Sequence, residues 1–342
     1  MTNDQDILVI VLAGESALVL CDLDGKTGGM TLREKVSLPG VEGACLGMPL
    51  ATNPAGDRVY VAWRGKEKRL FTFALDTAAR HLAPLSDAPL PASMCHASPV
   101  AGGRHLATAS MTDSTIALSP LAPDGTASAP VWSDAAPFAH CLIEAPNGLL
   151  YAPSLKGHFV QIYALADDAS SLRPVARQDA PDGSGPRHIL FTADGATAYL
   201  LSEFAGTLTA FDVAPKAGTL TPRQTVSFLS DGEKAKASEL CLSPDERVLY
   251  ASERNTSQIF AYRLEDARMH LMGAFPAPDC PRAIGLDSTG RHLIALGEKS
   301  GDAWSYRIDG DGMLVPAARL SVGAGPSWVL AFGPANKSVG AC

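Results

Sequence analysis

Short apolar runs alternate with Gly, Pro, Asp and Asn along almost the whole chain, and the 3.6-residue periodicity of long helices is nearly absent. Apolar runs bounded by turn residues predict β-strands. The runs recur as one motif, "RVYVAWRGKEKRLFTFAL", "HLATASMTDSTIALSPL", "LLYAPSLKGHFVQIYAL", "TAYLLSEFAGTLTAFDV", "VLYASERNTSQIFAYRL" and "HLIALGEKSGDAWSYRI". A seventh copy, "ILVIVLAGESALVLCDL", lies at the amino terminus. Aligned on Val11, Tyr60, Leu106, Tyr151, Tyr199, Tyr250 and Ile294, the copies are spaced by 49, 46, 45, 48, 51 and 44 residues. A strand hairpin repeated at a period in the forties predicts the four-stranded blade of a β-propeller, and seven copies fit the 342 residues. The Gly-His and Trp-Asp landmarks of WD40 repeats do not recur.

A second repeated element precedes the hairpins: "GMPLATN", "MCHASPV", "AHCLIEA", "PRHILFT", "SELCLSP", "PRAIGLD" and, near the carboxyl end, "PSWVLAF". It reads as the innermost strand of each blade, lining a central channel. The first hairpin has no such strand before it and the last such strand has no hairpin after it. The strand near Trp328 is therefore expected to complete the blade begun at the amino terminus, a closure that leaves no free sheet edge. Residues 1–342 are expected to form one all-β domain, a seven-bladed propeller of four-stranded antiparallel blades.

In such a ring the first strand begins, and the second ends, on the same face. The repeat alignment puts Met48, Cys95, His140, Arg187, Ser238, Arg282 and Ser327 at the head of the inner strand. Pro49, His96, Cys141, His188, Glu239, Ala283 and Trp328 follow them. Glu15, Arg64, Ser110, Leu155, Glu203, Arg254 and Glu298 fall at the end of the second strand, with Lys299 one further on. Residues far apart in the chain thus become neighbours around the channel mouth. Arginines beside a carboxylate at a concave mouth suit anion binding next to an acid or base.

Charge changes the picture little: 28 basic and 36 acidic residues give −8, without a basic cluster, which argues against nucleic acid and anionic membranes as partners. The apolar run Ile7–Leu12 is too short for a membrane span and lacks the basic flank of a signal peptide. Seven cysteines, an odd number without Cys-x-x-Cys spacing, predict neither a disulfide framework nor a zinc site, and point to the cytoplasm. The histidines show no metal-ligand spacing, "GKTGG" lacks the spacing of a phosphate loop, and no metal or other cofactor is expected.

The segments "GPRHILF", "AHCLIEAPNGLLYAPSLK", "LSPDERVLYASERNTSQIFAYRL", "LIALGEKSGDAWSYRI" and "GAGPSWV" resemble the seven-bladed propeller lactonase family, most strongly from about residue 138 to 330. The resemblance implies hydrolysis of a sugar lactone, 6-phosphogluconolactone before others, with a small anionic lactone as partner and a monomer or homodimer as the assembly. Matched motif by motif, it implies a catalytic set of His140, Arg187, Glu203 and Arg254. Glu203 would act as base on water, one arginine would stabilise the oxyanion, and His140 would protonate the departing ring oxygen. His188, Arg282, Lys299, His96 and Glu298 are the expected substrate-binding residues. The alternatives are a carboxymuconate-type lactonizing cycloisomerase and a non-catalytic propeller that binds an anionic partner.

Overall fold

The computed structural model describes residues 5–229, 234–266 and 268–333. Its strands form seven four-stranded antiparallel sheets, each built from consecutive strands except one. In that one, Pro326–Phe332 pairs with Gln5–Leu12, and the sheet continues through Ala17–Asp24 to Met30–Ser37. The expected closing blade is present. Blades 1 to 6 begin at Leu50–Thr52, His96–Val100, Ile143–Glu144, Pro186–Phe191, Ala237–Leu242 and Pro281–Leu286, and the closing blade is blade 7.

The burial pattern explains the sequence pattern. A second strand such as Arg58–Trp63 or Leu149–Ser154 lies between two neighbouring sheets, so both of its faces are apolar and buried. The outermost strands, such as Leu314–Ser321, are mostly exposed and carry the charge. Seven apolar clusters fill the seven gaps between successive blades. Each fully buried Leu, Val or Phe contributes about 1.5–3 kcal/mol, so the ring is held by blade-to-blade packing. Among the described residues, no helix is long and apolar enough to cross a membrane.

One backbone device aligns the mouth. In blades 3, 4, 6 and 7 the residue two places before the head of the inner strand has a left-handed φ: Phe138, Gly185, Cys280 and Gly325. Its carbonyl accepts the N–H of the residue that ends the second strand, from Leu155, Glu203, Glu298 and Ala13 respectively. Blade 5 makes the same bond from Arg254 N–H to the Lys236 carbonyl. The device fixes Glu203, Arg254 and Glu298 at one height, as the alignment predicts.

It also corrects two positions. Leu12 pairs with Ala17 and Ser110 with Thr115, as Ser202 pairs with Thr207, so the equivalents of Glu203 are Ala13 and Met111 rather than Glu15 and Ser110. Glu15 instead sits in the turn, bound to Lys35 and to the Ala324 N–H. Cys21, Cys45, Cys95, Cys141 and Cys280 are free thiols, so these five build no disulfide framework.

Candidate active site

Successive residues of a strand normally point to opposite faces. A β-bulge between Pro186 and His188 breaks that alternation. Arg187 and His188 therefore both turn into the channel, Arg187 Nη1 lying 3.2 Å from His188 Nε2. Equivalent bulges at Ala237–Leu240 and Pro281–Ala283 carry Ser238, Glu239 and Arg282.

Glu203 is the centre of the cluster. Its Oε2 accepts from Arg187 Nε at 3.0 Å, and its Oε1 lies 2.9 Å from Arg254 Nη2. Arg254 is anchored in turn by Nε donating to the Lys236 carbonyl at 3.0 Å and Nη2 to the Ala237 carbonyl at 3.2 Å. Arg187 Nη1 donates to the Ser238 carbonyl. Arg187 is only 3% exposed. Burial, then the charge of Arg254, lowers its pKa to about 10, which leaves it cationic at neutral pH.

Beneath the guanidinium lies a ring stack. The His188 ring centroid is 5.1 Å from that of His140, 5.8 Å from His96 and 6.2 Å from Trp328. His188 Nδ1 forms a short contact with Glu239 Oε1. Burial pushes the Glu239 carboxyl up to about 8 against the pull of Arg187. Burial and Arg187 hold His188 well below the ordinary histidine range. Neither partner of this pair favours its charged form. His140 is likewise held low, by burial first and Arg187 second, and is neutral at pH 7. Its Nδ1 is buried and has no hydrogen-bond partner among the described residues. A neutral imidazole with an open nitrogen can accept from a water, while burial and Arg187 oppose its holding a full charge.

A narrow cleft of about 10 Å³ is lined by His140, Arg187, Glu239, Arg282, Ser327 and Trp328, with Gly47 and Cys95. It admits a water-sized group, so a sugar ring must lie over it at the mouth. Larger hollows, such as one of about 340 Å³ bordered by Asp245, Arg263 and Asp309, lie among the turns at the opposite ends of these strands.

His140, Arg187, His188, Glu203 and Arg254 thus come together. Arg282 lines the same cleft and pairs with Glu298, Nη1 to Oε1 at 3.0 Å. His96 is buried beside His188, accepting the Leu142 N–H at Nδ1 and touching Cys141 Sγ through Nε2. Lys299 does not join the cluster: it is exposed in the following turn, and among the described residues no side-chain hydrogen bond or ion pair ties it to the others. Glu239 and Arg64 are members of the ring whose partners the alignment alone did not reveal. Both occupy repeat positions already marked by His188 and Glu203. Among the described residues, no group of three or more His, Cys, Asp or Glu is arranged to hold a metal ion.

A seven-bladed propeller closed by its terminal strands matches a known class. Residues 3–331 match the family model described as "Lactonase, 7-bladed beta-propeller", and the chain belongs to that family. Among its relatives, a 6-phosphogluconolactonase of Pectobacterium carotovorum is 30% identical over 330 residues, covering 94% of this chain and 97% of that protein. Another 6-phosphogluconolactonase, from Serratia proteamaculans, is 30% identical over 331 residues, with 94% and 98% covered. Among solved structures, a periplasmic gluconolactonase of Pseudomonas aeruginosa superposes with a TM-score of 0.86, at 21% identity, over 95% of this chain and 98% of that one.

Proposed function

We propose that the chain hydrolyses a sugar lactone at this mouth, with 6-phosphogluconolactone, opened to 6-phosphogluconate, as the leading substrate. The observation that carries the reading is the carboxylate of Glu203 held between two buried guanidiniums beside a neutral histidine. The names of the 30%-identical relatives support the substrate.

The geometry favours a division of labour different from the one implied by resemblance. Both oxygens of Glu203 already face a guanidinium, so Glu203 chiefly positions Arg187 and Arg254. Neither Arg187 Nη2 nor Arg254 Nη1 makes a hydrogen bond among the described residues, and these groups are available to the lactone carbonyl oxygen as negative charge develops on it. Removing one such donor typically lowers kcat about 10²–10³-fold. His140 takes a proton from the attacking water as the water oxygen bonds to the carbonyl carbon. The tetrahedral intermediate then breaks the ring C–O bond, and the proton on His140 passes to the departing ring oxygen. The product is a hydroxy acid. No step in this scheme calls on a metal.

The test is a substrate panel of 6-phosphogluconolactone, gluconolactone and a carboxylated muconate, assayed above spontaneous reaction with a chelator present. Chelator-resistant opening of a lactone is the expected result. Turnover of the muconate alone would replace the reading with cycloisomerisation, and no turnover at all would replace it with a binding role.

A further inference from the structure

Arg64 is a buried cation that forms no ion pair among the described residues. It ends the second strand of blade 1, at the repeat position of Glu203, and is 7% exposed. Nε donates to Ser93 Oγ and Nη1 to the Gly47 carbonyl, both at 3.0 Å and both neutral acceptors. No carboxylate pairs with it among the described residues. The carboxylate whose charge reaches it belongs to Asp113, and that group is engaged by the Ser93 N–H at 2.6 Å and the Ser110 hydroxyl at 3.1 Å. An uncompensated buried charge costs several kcal/mol, a cost that a bound anion offsets.

A second guanidinium lies against the same glycine. A Cβ built on Gly47 would lie 2.6 Å from Arg282 Nε and 2.7 Å from its Nη2, so the absence of a side chain there is what admits Arg282. Arg282 spends Nη1 on Glu298, while Nε and Nη2 make no hydrogen bond among the described residues. Ser327 Oγ, buried and likewise without a partner, lines the cleft shared by Gly47 and Arg282. Blade 1 stands across the channel from blade 4, which carries Glu203.

We propose that Arg64 and the Nε–Nη2 edge of Arg282 form an anion subsite at Gly47, with the Ser327 hydroxyl as a further donor, that takes one oxygen of the lactone's phosphomonoester group into the cleft while the rest of that group lies over it at the mouth. The inference rests on the lactonase reading and deepens it, because it assigns the reacting ring to the Glu203 side of the channel and the phosphate to the Gly47 side. Two guanidiniums suit a phosphate dianion better than a neutral hydroxymethyl group.

The test compares the wild type with Arg64→Gln in two assays. Calorimetry measures binding of inorganic phosphate, 6-phosphogluconate and gluconate. Kinetics measures the ratio of kcat/KM for 6-phosphogluconolactone to that for gluconolactone. The variant should weaken 6-phosphogluconate binding about 10-fold or more, the scale of a lost hydrogen bond to a charged group. The selectivity ratio should fall to match. Gly47→Ala, which crowds Arg282 while keeping the backbone carbonyl that Arg64 bonds, should weaken the same ligand and stands in if Arg64→Gln does not fold. Equal weakening of gluconate and 6-phosphogluconate, or no weakening of either, would overturn the subsite. If the wild type opens neither lactone yet binds phosphate in an Arg64-dependent way, the lactonase reading falls and the anion site stands. Failure of the wild type to bind phosphate and 6-phosphogluconate overturns the site whatever the turnover.

Discussion

The Glu239–His188 pair shows how a buried contact ties stability to pH. The pKa of Glu239 is raised to about 8, so the folded protein binds more protons than the unfolded chain from the ordinary carboxyl range up to that value. Its contribution is present in acid and is lost as pH rises through about 8. His96, His140 and His188 are depressed, so their contribution has the opposite sign: it is present above the unfolded histidine value of about 6.5 and lost as pH falls toward their folded values. Glu239→Gln should therefore lose less Tm than the wild type between pH 6 and pH 9. An identical decline in both proteins would show that Glu239 is ionised throughout. At this scale the alignment found the right neighbourhood for His140, Arg187, Glu203 and Arg254, because the repeat register fixes strand ends. It could not reveal that His188 turns inward to meet Glu239, since that depends on the bulge after Pro186.

Within a blade, glycine sits where the mouth requires it. Gly185 has φ +73°, and its carbonyl accepts the Glu203 N–H at 2.6 Å. A Cβ there would lie 2.6 Å from the Phe204 ring. Gly185→Ala should cost about 1–3 kcal/mol through the left-handed backbone. It should also reduce turnover by shifting Glu203, which a melting curve paired with a rate would detect. Loss of stability with an unchanged rate would mean that the bond does not position the carboxylate. The recurring tyrosines that align the repeats also have a structural task. Tyr60, Tyr151 and Tyr250 donate their hydroxyls to the carbonyls of Gly125, Gly218 and Gly312 in the next blade, at 2.7, 2.8 and 2.8 Å. Their spacing was legible in the sequence, but the partner was not, because it lies more than 60 residues away. The misplacement of Glu15 and Ser110 has a related cause. Hairpin turns differ in how they match their strands, and apolar patterning does not locate the last paired residue.

Across the whole molecule, the ring depends on a strand contributed from the far end of the chain. Pro326–Phe332 pairs with Gln5–Leu12, and its Val329 and Leu330 pack in the clusters on either side of the closing blade. A chain cut after Gly325 should expose the Gln5–Leu12 edge and lose cooperative unfolding, as a melting curve would show. Retention of the wild-type transition would mean that closure is dispensable. Seven copies, their order and the shared blade were all readable from the sequence because each blade repeats the same burial demands. Which copies carry the proposed site was readable from their departures from the repeat: Arg187, Glu203 and Arg254 stand where other blades place Met48, Leu155 and Ala13. The central claim is that this Arg–Glu–Arg cluster opens a lactone ring. The most direct test is the chelator-resistant rate of 6-phosphogluconolactone opening by the wild type and by Glu203→Gln, both shown to melt as folded proteins. The account predicts catalysis well above the spontaneous rate and a loss of about 10²-fold or more in the variant, the scale of a lost electrostatic contribution to the transition state. A variant as fast as the wild type, or a wild type no faster than the spontaneous reaction, would contradict it.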